Sequence, residues 1–158
     1  ASTSSPRRTS LGLDVNRVHM LAAVLDKHTS LQLAHRDVYV NVVGGLRITE
    51  PAVDLALVAA LVSSEKQIPL PAGSCFFGEV GLTGEVRGSS LAAERAKEAV
   101  KLGLRHIFLP ASNKKYLHEK DFAESKVSFH WIQDVRQIDD MIHSGGPKAT
   151  RMRSDLPV

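Results

Sequence analysis

A single cysteine, Cys75, in 158 residues excludes an internal disulfide framework and suits a reducing compartment. No apolar run approaches the ~20 residues needed to span a bilayer. The first ten residues, rich in Ser and Arg, lack the apolar stretch of a signal peptide. No Gly is followed directly by Lys, so these residues hold no phosphate loop and do not hydrolyse ATP by that route. Gly-x-Ser-x-Gly, His-Glu-x-x-His and Cys-x-x-Cys are all missing, and the seven histidines are scattered. That pattern excludes the common metal hydrolases, leaves no metal site, and reads each histidine as a surface or boundary residue. Aromatics number only eight, and Phe76, Phe77 and Phe108 sit in strand-like runs, which disfavours stacking platforms for nucleic-acid single strands.

What is present describes one globular domain. An apolar content of 43% and a charged content of 23% are near the norm for a chain long enough to bury a core. The formal net charge of +3, with a pI near 9.2, permits an anionic partner without requiring one, because both signs are interspersed.

Residues 1–12 read as a linker, 13–145 as the folded domain and 146–158 as a disordered tail without periodicity. Asp14 or Asn16 caps a helix running to about residue 27, with Val18, Leu21, Ala22 and Leu25 on one face. Residues 38–43 form a strand that Gly44-Gly45 ends. From Val53 to Val62 every residue except Asp54 is apolar, the mark of a buried helix, with Thr49 as its cap and Pro51 in its first turn. Residues 75–80 read as a second buried strand, and Gly81-Leu82-Thr83-Gly84 as a turn into a third that ends at Val86. A helix over 91–102 closes at Gly103. Strands over 106–109 and 127–131 follow, with a short helix near 114–119 between them and a final helix over 134–143. Strands alternating with helices predict an α/β layered domain.

Five blocks carry a family likeness: Pro6-Arg7-Arg8-Thr9, Leu13-Asp14-Val15-Asn16-Arg17-Val18, the stretch from Asp37 to Gly45, Glu50-Pro51-Ala52-Val53-Asp54-Leu55-Ala56, and the stretch from Phe77 to Arg87. In this order they resemble the C-terminal domain of the RadA/Sms family, which is itself similar to the Lon proteolytic domain. The resemblance implies a Lon-like layered α/β domain with a mixed sheet and a buried central helix, cut from a longer chain. Lon-type proteases use a serine activated by a lysine that serves as base. By the resemblance the serine position is Ala52 and the lysine position, counted from Gly78-Glu79-Val80, is Ala93. Neither side chain has a lone pair, so the dyad is degenerate. Ser63 and Ser64 lie ~16 Å along the same helix from its start, and Lys97 lies one turn beyond Ala93, beside Glu94.

The remaining charges admit a second role. A buried Asp54 needs a partner, and Arg47, Arg87 and Arg95 are the candidates. Arg95 sits at the flank of an apolar stripe with Leu91 and Leu102, while Lys97 and Lys101 project together at i, i+4. Arg7, Arg8 and Arg17 form a further basic group where the domain begins. Phosphate contacts from such residues supply weak, sequence-independent DNA affinity, and Arg47, Arg87, Arg95, Lys97 and Lys101 are the expected DNA-binding set.

The resemblance further implies a homo-hexameric, DNA-dependent ATPase of bacterial recombination and repair, active in branch migration, cytoplasmic, and partnered with DNA and a recombinase. ATP and Mg are then cofactors of the parent protein and not of this domain, which acts as scaffold and DNA platform without enzyme activity of its own. Two rival readings stay open, an active peptidase with unrecognised groups and an interaction module that does not bind DNA.

Overall fold

The computed structural model describes residues 5–142. The expected tail over 146–158 lies outside the described residues, as does His143 at the end of the expected final helix. Strand β1 (Arg8–Leu11) pairs in parallel with β2 (Val38–Asn41), and the two are joined through helix α1 (Val15–His28). A parallel pair needs such a crossover, and a helix is its usual form. Asp14 caps α1 by accepting from the Asn16 N–H at 2.9 Å, and Val18, Leu21, Ala22 and Leu25 face the core as the periodicity predicts. Residues 8–11 are a strand and not linker. Their few β-formers gave no signal, and tertiary bonds hold them. Val38 N donates to Arg7 O at 2.8 Å, and the Arg8 guanidinium donates to Leu33 O at 2.7 Å.

A 3-10 turn over Pro51–Val53 leads into helix α2 (Asp54–Lys66). Glu50 rather than Thr49 supplies the cap, accepting from Ala52 N at 3.4 Å. Of the first nine residues of α2 only Ala56 and Ala60 escape burial, and α1 and α4 (Val135–Met141) both pack on it. The buried central helix is therefore present.

The run expected as one strand over 75–80 is divided into β3 (Ser74–Phe76) and β4 (Glu79–Val80). Gly78 breaks it, with φ +152. Its N–H donates to Ala52 O at 2.8 Å and its carbonyl accepts from Leu55 N at 3.0 Å, so the chain leaves the sheet to meet the start of α2. A Cβ here would lie 3.0 Å from Pro110 Cγ and 3.1 Å from Val86 Cγ1, closer than ordinary contact. Because of this break, β4 pairs with β5 (Val86–Arg87) as a separate antiparallel hairpin. Strands β3, β6 (His106–Pro110) and β7 (Ser128–Ile132) form an all-parallel sheet in the order β3-β6-β7. The architecture is α/β, with parallel and antiparallel pairs in separate sheets instead of one mixed sheet.

Every residue of the central strand β6 is buried. Phe108 and Ile132 join the core formed by α1, α2 and α4. Ile107, Leu109, Phe129 and Trp131 face the opposite way, into a second cluster with helix α3 (Ala92–Lys101). Two histidines follow the strands inside. His106 Nδ1 lies 3.1 Å from His130 Nε2, and the His130 ring stacks on Phe108 at 4.2 Å. They are core residues and not surface ones, because helices cover both faces of this sheet. Two 3-10 turns, Ala111–Tyr116 and Glu119–Phe122, replace the short helix expected near 114–119. Cys75 lies half-buried in β3, and burial pushes its thiol up from the ordinary value.

The end of α2 is tied to α4 by charge. Lys66 Nζ lies 2.6 Å from Asp139 Oδ1 and donates to Asp139 O and Ile142 O at 2.6 and 2.5 Å. Burial works to raise the Asp139 carboxyl, but hydrogen bonds from Lys66 and Ser30 outweigh it and hold the group below its usual range. A depressed carboxyl stabilises the fold above its unfolded value near ~4 and loses that contribution as pH falls through the folded value. Asp139→Ala is expected to cost about 3 kcal/mol at pH 7, the scale of breaking a largely buried pair. In urea denaturation from pH 7 downward, the gap between variant and parent should close below about pH 4. A gap independent of pH would show that the ion pair does not stabilise the fold.

Candidate functional site

The start of α2 is the most densely organised polar region of the fold. Asp54 is fully buried. Its Oδ1 accepts from Arg17 Nε at 2.7 Å and its Oδ2 from Val80 N at 2.9 Å, and a second guanidinium nitrogen of Arg17 also reaches Oδ2. Glu79 Oε1 stands 4.0 Å from the same nitrogen. The hydrogen bonds that it donates to Asp54, partly offset by burial, raise the Arg17 guanidinium above its ordinary value. One carboxylate thus joins α1, α2 and the β4 strand.

The partner of Asp54 is Arg17, and not Arg47, Arg87 or Arg95. Arg17 precedes the buried Leu21 and Leu25 by one and two turns, so helical spacing already placed it on the core face of α1. Its position among basic residues near the beginning of the chain hid that signal.

Ala52 and Ala93, the positions that the family likeness aligns with a Lon-type dyad, flank an apolar wall. Ala52 is 3% exposed and clusters with Phe77, Ala92 and Ala96, so α3 packs against the first turn before α2. Ala93 lies half-buried beside them on α3. A charged bridge closes the gap between the elements. Arg95 lies 3.5 Å from Glu50 Oε1, donates through Nε to Ser90 O at 2.9 Å, and stands 6.0 Å from the Phe77 ring centre. Around Ala52 the fold presents a methyl group, an aromatic ring and an ion pair.

Ser63 Oγ donates to Ile68 O at 2.6 Å and closes the end of α2, and the buried Ser89 hydroxyl has no hydrogen-bond partner among the described residues. A serine nucleophile needs an adjacent base.

The expected DNA-binding residues fall into two groups. Arg87 is exposed and held by Glu85 at 3.1 Å, and Arg95 is held by Glu50. Arg47, Lys97 and Lys101 are exposed and have no carboxylate partner among the described residues. Arg47 and Glu50 line a depression of ≈ 260 Å³ beside Arg17 and Pro51, while Lys97 and Lys101 stand on α3. Among the described residues no group of three or more His, Cys, Asp or Glu can hold a metal ion, and no helix is long and apolar enough to cross a membrane.

A family model described as ChlI, subunit ChlI of Mg-chelatase, matches residues 15–113, which include both degenerate positions and Arg17 with Asp54. The chain is similar to the DNA repair protein RadA of Bacillus subtilis, 48% identical over 112 residues, or 71% of this chain and 24% of that protein. It is similar to the DNA repair protein RadA of Escherichia coli at 50% over 110 residues, or 70% of this chain and 24% of that protein. The chain belongs to the ChlI-type domain family in its RadA/Sms form. It spans about a quarter of the length of the RadA relatives it matches. The chelatase in the family description names another member, and this RadA-type domain carries no Gly-Lys step of a phosphate loop.

The Arg17–Asp54 pair should behave as a coupled unit in the stability of this RadA-type domain. Asp54→Ala leaves a half-buried guanidinium and the Val80 N–H without their acceptor and is expected to cost about 3 kcal/mol. Arg17→Ala combined with Asp54→Ala should lose less than the sum of the single losses, with a coupling above about 1 kcal/mol in urea denaturation. Additive losses would mean that the two side chains act independently.

Proposed function

We propose that this chain is a catalytically silent, Lon-protease-like domain that serves a RadA-type repair protein as scaffold and DNA-contacting platform. The observation that supports this most directly is Ala52, whose methyl group is packed with Phe77 and Ala96 under the Glu50–Arg95 bridge. A cleft filled in this way keeps the shape of a catalytic layer while holding neither nucleophile nor base. The domain extends over residues 13–145 together with the β1 strand that precedes them.

In the whole protein, ATP and Mg act in a separate nucleotide-binding part, and six copies of this domain form a ring that moves on DNA during branch migration, beside a recombinase, in the bacterial cytoplasm. DNA contact falls to Arg47, Lys97 and Lys101, with Arg87 and Arg95 acting where their carboxylate partners yield. Such contacts are blind to sequence, because cations on a helix surface grip phosphates without reaching base edges.

Two measurements test this reading. A serine-directed phosphonate probe should label no residue, and an unstructured protein should survive incubation with the chain for hours. Labelling of one serine, with turnover abolished by its replacement, would establish a peptidase and sink the silent-domain reading.

Separately, the chain should bind a labelled oligonucleotide weakly, with affinity that falls as salt rises. Lys97→Ala with Lys101→Ala should flatten that dependence by about one unit of slope per lost contact. If the chain shows no salt-sensitive binding at all, the interaction-module reading replaces the DNA platform.

A further inference from the structure

The positive charge of this chain is concentrated in one stretch. Residues Lys97 to Lys126 hold seven of its lysines and arginines against four aspartates and glutamates. That excess equals the net charge of the whole chain, +3, so the remaining residues balance. All seven cations are exposed and none makes an ion pair among the described residues. Elsewhere six of the ten described cations, Arg17, Arg36, Lys66, Arg87, Arg95 and Arg136, are paired. An unpaired cation can turn to a new anion without first breaking an internal ion pair.

The fold gathers these residues around aromatic rings. Arg105, Lys120 and Lys126 line a groove of ≈ 780 Å³, in which Asp121 and Glu124 also stand. Lys114 and His118 line an adjoining depression of ≈ 230 Å³ over Phe129 and Trp131, with Lys114 Nζ 5.9 Å from the Trp131 ring centre. Phe122 belongs to the wall of both, so the two lie side by side as a band. Tyr116 is 61% exposed, and Lys115 Nζ stands 5.2 Å from its ring centre. The turn that carries Tyr116 is fastened to the body. The buried Asn113 side chain accepts from Ser89 N at 2.8 Å and donates to Ser89 O at 3.1 Å. A large ring held exposed on an anchored turn loses little freedom when it is covered, which favours binding.

We infer that this band binds single-stranded nucleic acid, with a base stacked on Tyr116 and the backbone phosphates running over Arg105, Lys120 and Lys126. The inference rests on the DNA-contacting role proposed above and gives it a surface and a strand state. A base reaches a protein ring only when it is unpaired and splayed, so an exposed tyrosine among unpaired cations selects single strands over duplex. Glu119, Asp121 and Glu124 share the band and keep the attraction modest, which makes the binding weak and sensitive to salt.

Anisotropy of a labelled twenty-nucleotide single strand, titrated with the 158-residue chain and its variants, tests this. Tyr116→Ala should weaken binding at least about fivefold, the lower end for losing one stacked base, and Tyr116→Phe should restore it. Lys120→Ala with Lys126→Ala should flatten the salt dependence by about 1.4 units for two lost single-strand contacts. These side chains are exposed, and a thermal melt of each variant confirms that it is folded.

If the parent binds but the Tyr116 and Lys120/Lys126 variants bind like it, while Lys97→Ala with Lys101→Ala loses affinity, the band is refuted and the DNA platform stands. No binding by the parent overturns both. Equal affinity for the matching duplex, or for poly-glutamate, overturns the single-strand assignment in favour of general polyanion attraction.

Discussion

The Arg17–Asp54 pair is the constraint on which the rest of the fold depends. A carboxylate with no exposure is tolerated only when its oxygens are fully bonded. Here the donors come from α1 and from the backbone of β4, while the carboxylate itself opens α2. Three elements distant in sequence must reach their final positions before this charge is satisfied. A buried pair of this type is weak evidence of net stability, since an apolar replacement often does as well. Its firmer contribution is to register. Sliding α2 by one residue would strand Asp54 in a hydrocarbon environment, so the helix has one depth at which it fits.

That fixed depth explains the state of the cleft. With α2 set by Asp54, the preceding turn presents Ala52 toward Phe77 and α3, and Gly78 holds the strand close enough to bond both Ala52 O and Leu55 N. These main-chain hydrogen bonds do not depend on the side chain at residue 52, so the backbone there keeps its path whatever that side chain is. The Glu50–Arg95 bridge then seals the surface with charges that satisfy each other.

Elements with strong local signals were legible in the sequence. The helical spacing of Val18, Leu21 and Leu25 and Gly103 after α3 placed two helices within a residue or two, and the near-continuous apolar run from Val53 to Val62 placed a third that extends four residues further, to Lys66. What escaped was set by tertiary contact. Arg8–Leu11 became a strand through pairing with β2, and Gly78 divided an apolar run because it had to approach a helix. His106 and His130 went inside because their strands are covered on both faces. The partner of Asp54 was missed. Proximity in the fold, not in the sequence, decided between four arginines. Tyr116 gave no signal at all, since exposure of a lone aromatic depends on the turn that carries it.

Cys75 has a practical consequence. It is the only thiol of the chain and lies half-buried on an edge strand of the three-stranded sheet, where burial suppresses the thiolate at neutral pH. Reagents attack the thiolate, so partial burial slows them in the closed fold, and openings that lift β3 away from β6 speed the reaction. The residue is thereby a native clock for local fraying of that edge, one that needs no added label and has no second thiol in the chain to confuse its reading.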